Sequence, residues 1–528
     1  MTKKYFMLAF AVVVAAMLTS CADSFLNQYP GGSTITEEQY QNMDNAAEGL
    51  VKGVYSKLYE YGGEHDLFAQ RAIDMYGDLL CGDMALKTQN YGWFGTDEMM
   101  MTFTRRSYYW SYYYGFIRAC NKGINAVTTQ GEPTLNPDEI AELTEDMQTE
   151  GIYYAQLLTI RGWAYAGLLR TFTSHEYDEN ALAFPLYTEI DTQADTILGR
   201  PRSSCADIML SIEEDLSRAI SYFEAYSMIP RASKLEVNED VARITLAYMY
   251  LNIGDNEKAL QIAEQEIQKT TASVLPKAEV LTSGFNNVEN KSWVWGLDVT
   301  VENTTSLASF FGQCDIYTYS YAGAGDVKGI DQNLYDEIPS WDLRKKWWNN
   351  YAQSGVQGAS AYAYAPDGKF YSATSTKKDG DRDWLSDQVY MRIETAYLIA
   401  AEAACRTNDN EKAKQLLFSI TDLRCADGAE AEYKAWKDGL TTNALVLQAI
   451  RHNWRVELWG EGYGLQTFRR FNESVTLGDN HLRTTKTISP TLPTPRYFTF
   501  ELPTNELYYN PYIRDNMETT TKANKVKQ

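Results

Sequence analysis

Along most of the chain, apolar positions recur at three- and four-residue steps, the spacing that predicts helices with one buried face. The pattern runs from Glu38 to Tyr61 and again from Arg105 to Val127, where Tyr113, Phe116, Ile117, Cys120, Ile124 and Val127 fall in register. Further amphipathic runs cover 138–172, 204–225, 238–270, 387–425 and 443–459. Between 271 and 386 the period is lost and Gly, Ser, Thr, Tyr and Trp take over. This reads as an irregular, loop-rich insert containing short strands. Within it Trp293, Trp295, Leu297, Val299 and Val301 alternate with smaller or polar residues, which predicts a strand with one buried face and places both tryptophans in the core. The Pro-containing stretch from Ser489 to Pro511 is expected to wrap over the body as loop.

An internal repeat sits among the helical runs. Asp255-Asn256-Glu257-Lys258-Ala259 recurs as Asp409-Asn410-Glu411-Lys412-Ala413, each copy after a helix and a turn, each opening a second helix with an acidic residue suited to its N-terminus. Leu246, Ala247, Tyr250 and Ala259 stand at tetratricopeptide spacing, with Gly254 making the turn; Ala400, Ala401, Ala404 and Ala413 fill those slots in the second copy. Small residues there let paired antiparallel helices approach closely, and such pairs need stacked neighbours to bury their faces. The expected fold is mostly α: a tetratricopeptide-like helix-pair scaffold over about 38–270 and 387–470, the insert at 271–386, and a wrapping tail at 471–528.

The first residues carry a different signal. Lys3 and Lys4 precede an apolar run from Tyr5 to Leu18 that has the length of a signal-peptide core and is short for a membrane span. Leu18-Thr19-Ser20-Cys21 then resembles the lipobox of bacterial lipoproteins, which implies removal of residues 1–20 as a signal peptide and a diacylglycerol on the Cys21 thiol. An ordinary secretory signal that happens to end in cysteine is the plainer alternative. In either case residues 21–528 read as a single domain, and acyl chains would be its only membrane attachment. The remaining cysteines, Cys81, Cys120, Cys205, Cys314, Cys405 and Cys425, are scattered without a CxxC pair. They read as small buried hydrophobes more than as disulfides.

A formal charge of −22 argues against a generic nucleic-acid binder, which has to replace phosphate counterions. Four histidines, none closely paired, make a His-built metal site improbable, and no cofactor is expected. Gly460-Glu461-Gly462-Tyr463-Gly464 follows a helix rather than a strand and lacks a GK[ST], so it reads as a helix ending in a glycine turn and not as a phosphate cradle. Asp379, Asp381 and Asp383 have the alternate spacing of calcium ligands, but Trp384 and Tyr390 stand where an EF-hand needs Gly and Glu. A solvated acidic turn is the favoured reading there, an irregular calcium site the alternative.

Aromatic residues make up 13% of the chain, with 38 Tyr foremost, and three clusters of them stand out. Tyr91-Gly92-Trp93-Phe94-Gly95 is a glycine-flanked loop; Tyr317, Tyr319 and Tyr321 alternate as if on one side of an extended segment; Tyr362 and Tyr364 repeat that arrangement among alanines. Aromatic faces stack on the C–H faces of sugar rings, and phenols bond sugar hydroxyls, so Tyr91, Trp93, Phe94, Tyr317, Tyr319, Tyr321, Tyr362 and Tyr364 are candidate glycan contacts. For each cluster inward packing is the competing reading.

Several further stretches resemble one family. Phe25-Leu26-Asn27 with Pro30 after the lipobox, Asp342-Leu343-Arg344, Arg392-Ile393-Glu394-Thr395-Ala396-Tyr397-Leu398 leading to Ala401-Glu402-Ala403, Arg455-Val456-Glu457-Leu458 through Glu461-Gly462, Leu502-Pro503-Thr504-Asn505-Glu506 and Asn510-Pro511-Tyr512-Ile513-Arg514-Asp515-Asn516 are similar to the SusD/RagB family of Bacteroidetes outer-membrane lipoproteins. Gly464 and Thr467 depart from the Arg and Asp usual after Glu461-Gly462. The resemblance implies a tetratricopeptide-type scaffold with an irregular glycan-binding face, lipid-anchored outside the outer membrane. It also implies a partner TonB-dependent (SusC-like) transporter, to which captured oligosaccharide passes without chemistry. Two rivals remain: a surface-displayed glycosidase, suggested by the abundant carboxylates, and a tetratricopeptide lipoprotein serving outer-membrane assembly.

Overall fold

In a computed structural model of the chain, the described residues are 46–94, 103–174, 176–349, 362–378, 380–382, 384–483, 486–490 and 500–513. Residues 50–528 form one compact unit, and the N-terminal unit, 1–49, is described only at 46–49. Cys21 and the signal before it lie outside the described residues.

The architecture is helical. The longer helices are α1 (Ala46–Ser56), α2 (Ala69–Cys81), α3 (Phe103–Val127), α4 (Glu145–Phe172), α5 (Cys205–Ala225), α6 (Glu239–Ile253), α7 (Asn256–Lys269), α8 (Ile393–Arg406), α9 (Asn410–Thr421), α10 (Glu430–Gly439), α11 (Asn443–Glu457) and α12 (Gly464–Phe471). They stack in chain order: α3 on α4, α4 on α5, α5 on α6, α6 on α7, α7 on α8, and α8 on both α9 and α11. The 138–172 run becomes Pro137–Glu142 and α4 because the Thr144 side chain accepts from Met147 N–H, and the 238–270 run turns at Gly254 as expected. Helix α2 keeps the helical spacing at Ala69, Ala72, Ile73, Tyr76, Leu79 and Leu80, and its polar Arg71 and Asp78 are buried with them.

The repeat forms two equivalent helix pairs, α6–α7 and α8–α9. Asp255 caps α7 and Asp409 caps α9, each accepting a backbone N–H three residues on at 3.1 Å. Gly254 (φ +87°) and Asn408 (φ +67°) occupy the same left-handed turn position, filled by the two residue types that tolerate it best. Ala247, Ala259, Ala400, Ala401, Ala404 and Ala413 are all completely buried where the helices meet. Asp255→Ala and Asp409→Ala are each expected to cost about 1 kcal/mol, read as a lower denaturant midpoint with an unchanged slope, while Asp409→Asn should cost almost nothing.

Although the insert separates α7 from α8 in sequence, these helices pack together, so the insert leaves and returns at one place. Strand β2 (Trp293–Leu297) runs antiparallel to β4 (Gln388–Arg392) and clips its two ends. A second clip ties the insert to the N-terminal helices: β1 (Met84–Leu86) pairs antiparallel with β3 (Lys328–Ile330). Trp293 and Trp295 are buried, but β2 is buried on both faces rather than one, and Val301 lies beyond the strand and is exposed. Alternation misled here because Gly296, the apparent outward position, lies under the Trp293 ring. The tail also departs from expectation, since Thr504–Tyr509 is a short helix. The six described cysteines are buried free thiols.

A charged network holds the insert, the repeat and the C-terminal helices together. Glu457, fully buried, meets Arg344 at 3.0 Å, Arg392 at 3.1 Å and Arg424 at 2.9 Å. Arg344 is also paired with Asp342 at 2.5 Å, Arg392 with Glu394 at 3.1 Å and Glu461 at 2.8 Å, and Lys369 with Glu461 at 2.7 Å. Burial works against the Glu457 carboxylate, but the three guanidiniums outweigh it and hold its pKa well below the usual range. Burial brings the Lys369 ammonium down to about 8. Beside this network the 460–464 turn closes on α2: Asp78 accepts from Gly460 N–H at 2.7 Å and Gly464 N–H at 3.1 Å. The glycine turn is therefore structural, and a Cβ on Gly464 would sit 2.6 Å from the Asp78 carboxylate.

Candidate functional site

The β1–β3 clip brings three irregular segments together: 60–68 before α2, 87–94 after β1, and 316–327 before β3. Their backbones are tied by polar groups, of which Gln313, Asp326 and Lys328 are fully buried. The Asp326 carboxylate accepts from Asn90 N–H and, at 3.2 Å, from Tyr91 N–H; Asn90 Nδ2 donates to Ala324 O at 3.3 Å and Thr88 Oγ1 to Gly325 O. Gln313 Nε2 donates to His65 O at 3.0 Å, and Lys328 Nζ donates to Gln313 Oε1 at 2.5 Å and Asp326 O at 3.0 Å. Complete burial lowers the Lys328 pKa to about 8. Gly325 has φ +107°, a backbone conformation that side-chain-bearing residues rarely adopt.

These tied loops present a continuous run of rings. His65 stacks on Trp93 with centroids 5.1 Å apart and planes at 20°, and it meets Tyr321 edge-on at 5.5 Å. His65 Nδ1 and the Tyr321 hydroxyl share a hydrogen bond. Tyr91 stands perpendicular to Tyr321 at 5.4 Å, and Tyr61 lies 6.5 Å from His65 at the other end. Tyr91 is 55% exposed and Tyr61 42%. Partial burial pushes the Tyr321 hydroxyl pKa up, keeping it a neutral donor and acceptor. Behind the rings Asp66 is fully buried, bonded by the Tyr76 hydroxyl and by Arg105 at 2.6 Å.

Of the eight aromatics singled out from sequence, Tyr91, Trp93 and Tyr321 come together here. Phe94 does not face a ligand: at φ +56° its ring turns inward between Phe68 and Tyr76, and that anchor leaves Trp93 outward. Tyr317 and Tyr362 are likewise corrected. Both pack in a small core with Ile316, Ala322, Val327 and Ala365, and their hydroxyls bond Asp367 at 2.9 Å and Gly323 O at 2.8 Å. The extended face of three phenols is not formed, because the chain turns at 319–325, with Ala324 N–H on Ser320 O and Asp326 N–H on Tyr321 O, each at 2.9 Å. Tyr319 is 56% exposed and carries Arg382 over its ring at 4.8 Å. Tyr364, at φ +70°, is half-buried against Tyr335.

His65 and Tyr61 were missed from sequence. Their signal was the texture of Tyr61-Gly62-Gly63-Glu64-His65-Asp66, a glycine-flanked aromatic loop like the one at 91–95. Of the candidate calcium triad, Asp379 and Asp383 lie outside the described residues. Asp381 closes its own turn by accepting from Thr376 N–H at 2.7 Å and Thr376 Oγ1 at 3.0 Å. Among the described residues no group of three or more His, Cys, Asp or Glu could hold a metal ion.

The SusD family model matches residues 317–528. Over that segment the chain is similar to the SusD family. A SusD-like protein of Bacteroides ovatus is 26% identical over 287 residues, 53% of this chain, and the chain spans about half, 47%, of that relative's length. The fold is that of solved SusD-like structures. One described as a SusD-like carbohydrate binding protein from Bacteroides vulgatus has TM-score 0.71 at 20% identity, over 89% of this chain and 97% of that one. A SusD superfamily protein from Bacteroides thetaiotaomicron has TM-score 0.66 at 19% identity, over 88% and 98%. The SusD-like motif residues Asp342, Arg344, Arg392, Glu394, Glu457 and Glu461 are those of the buried ion network, so the family sequence marks the scaffold. In the ring platform only Tyr321 falls within the matched segment.

Proposed function

We propose that this chain is a cell-surface glycan-binding lipoprotein that captures oligosaccharides and delivers them to a partner TonB-dependent outer-membrane transporter. The observation that carries the reading is the run Tyr61, His65, Trp93, Tyr321 and Tyr91 on loops tied in place beforehand. Fixed rings lose little conformational entropy on binding and suit the C–H faces of successive sugar units. The description of a SusD-like structure from Bacteroides vulgatus as carbohydrate binding supports it. The role is capture without bond cleavage. Asp66 and Asp326, the buried carboxylates behind the rings, hold loops, and Glu64 on the platform loop pairs with Arg105 at 3.2 Å. Cys21 would carry the lipid anchor on the outward side of the outer membrane.

Calorimetric titration with a panel of neutral and acidic polysaccharides, followed by an assay for new reducing ends, tests this. Saturable heat with at least one glycan and no reducing ends is expected. Accumulating ends would make the protein a glycosidase, and silence across the panel would remove the glycan reading. Mild-detergent extraction should co-purify a much larger barrel protein; recovery only as a free monomer under several gentle conditions argues against the transporter partnership.

A further inference from the structure

Away from the rings, α3 and the segment 185–195 enclose a cleft of about 260 Å³, closed at one end by Glu506 of the short helix Thr504–Tyr509. It shares no lining residue with the aromatic platform. Trp110, Tyr114 and Tyr187 supply its apolar lining, with ring centroids 4.7 Å apart for Trp110 and Tyr114 and 5.9 Å for Tyr114 and Tyr187.

The wall opposite α3 is irregular backbone up to the short helix Gln193–Leu198, and polar groups fix its 185–189 stretch. Tyr114 Oη donates to Pro185 O at 2.6 Å, Tyr165 Oη donates to Tyr187 O at 2.8 Å and accepts from Tyr187 N–H at 2.7 Å. Asn121 Nδ2 donates to the carbonyls of Tyr187 at 3.0 Å and Glu189 at 2.8 Å, and Arg161 donates to Thr188 O at 2.9 Å. Arg161 is itself clamped by Asp215 at 2.6 Å. A wall so constrained is preorganised for a ligand.

The charges at the mouth are already matched: Arg118 pairs with Asp191 at 2.9 Å and Arg200 with Asp195 at 2.7 Å. Trp110 Nε1 donates to Glu506 at 3.2 Å, and burial pushes the Glu506 carboxyl pKa up. At Arg118 and Arg200 an anion would have to displace the aspartates, and at Asp191 and Asp195 a cation the guanidiniums. A neutral polyhydroxylated ring displaces neither, because paired carboxylates and guanidiniums keep further acceptor and donor positions for hydroxyls, while the aromatics cover C–H faces. The volume lies below the roughly 300–1,000 Å³ of pockets for drug-sized ligands, which favours one ring over a chain.

We propose that this cleft is a second carbohydrate site, taking a single neutral pyranose unit or chain end. The proposal rests on the glycan-binding reading of the protein, and its failure can be told apart from the failure of that reading. Saturation-transfer NMR of the full chain with methyl β-glucopyranoside, methyl β-galactopyranoside and methyl α-mannopyranoside as probes is run in a Trp93→Ala background, where binding at the platform is weakened. At least one probe should still receive saturation, and Ser111→Trp, placed at an exposed position of α3 that lines the cleft, should reduce that signal to background without lowering the melting temperature. Should that variant not fold, Arg118→Glu, which sets a like charge against Asp191, serves in its place with the same expectation. A signal undiminished by the cleft variant, or one already absent in Trp93→Ala while the unaltered protein binds polysaccharide, overturns the cleft and leaves the platform standing. Loss of binding to every glycan in the unaltered protein removes both.

Discussion

Glu457→Gln is expected to destabilise the fold by about 3–5 kcal/mol, the scale of breaking a buried ion pair by removing one partner. The network sets four cationic side chains, Arg344, Lys369, Arg392 and Arg424, against the four carboxyls of Asp342, Glu394, Glu457 and Glu461. Glu457 is the one carboxyl that touches three of the guanidiniums, and all four of these groups are fully buried. Gln preserves the shape but leaves an uncompensated positive charge where water cannot reach it. Thermal or urea unfolding reads the loss, and a shift within error would mean that water reaches the network. The pH dependence has a defined sign. Because the folded pKa of Glu457 lies well below its unfolded value of 4.5, its contribution is complete above that value and is lost as pH falls through the folded pKa. The Gln variant should lack this part of the acid destabilisation, so the two stability curves converge in strongly acidic solution.

Trp93→Ala and Trp293→Ala should have opposite effects, and measuring both on each variant separates binding from packing. Trp293 is completely buried in β2, so its truncation should cost about 3–5 kcal/mol of folding free energy. The loops at 60–68, 87–94 and 316–327 do not depend on that side chain, so glycan affinity of the folded fraction should stay the same. Trp93 is half-buried, with its ring stacked on His65. Its truncation should weaken binding of the preferred glycan by about 1–3 kcal/mol, the scale of an interface aromatic, and leave the melting temperature nearly unchanged. Calorimetric titration gives the first quantity and thermal unfolding the second. If Trp93→Ala binds normally and unfolds early, the ring serves the core and Tyr319, with Arg382 across it, becomes the next place to look.

How far the platform was legible depended on how repetitive the backbone is around each residue. Tyr91 and Trp93 could be singled out because a glycine-flanked loop offers large rings no periodic face to join. Tyr317, Tyr319 and Tyr321 obeyed a strand's alternation in sequence, but the turn at 319–325 buries the first, exposes the second and half-buries the third. That turn exists because Asp326 and Gly325 meet Asn90 and Thr88, more than two hundred positions away in the chain. His65 became part of the platform only through the same long-range closure. The SusD-like motifs were legible as motifs, but their role in a shared ion network was not, since their spacing in sequence carries no record of which charge faces which.

The sequence alone determined the helical scaffold, the equivalence of the α6–α7 and α8–α9 pairs with their Asp caps and alanine contacts, and the burial of the β2 tryptophans. Each of these rests on local periodicity, capping and side-chain size, which act over a few residues and so leave a mark within a few residues. Only the tertiary structure decided which aromatics face solvent, that β2 is covered on both sides, and that Asp342, Arg392, Glu457 and Glu461 share one buried site. Those outcomes depend on which distant segments the β1–β3 and β2–β4 clips bring together, and a direction in space set by a long-range contact has no period along the chain.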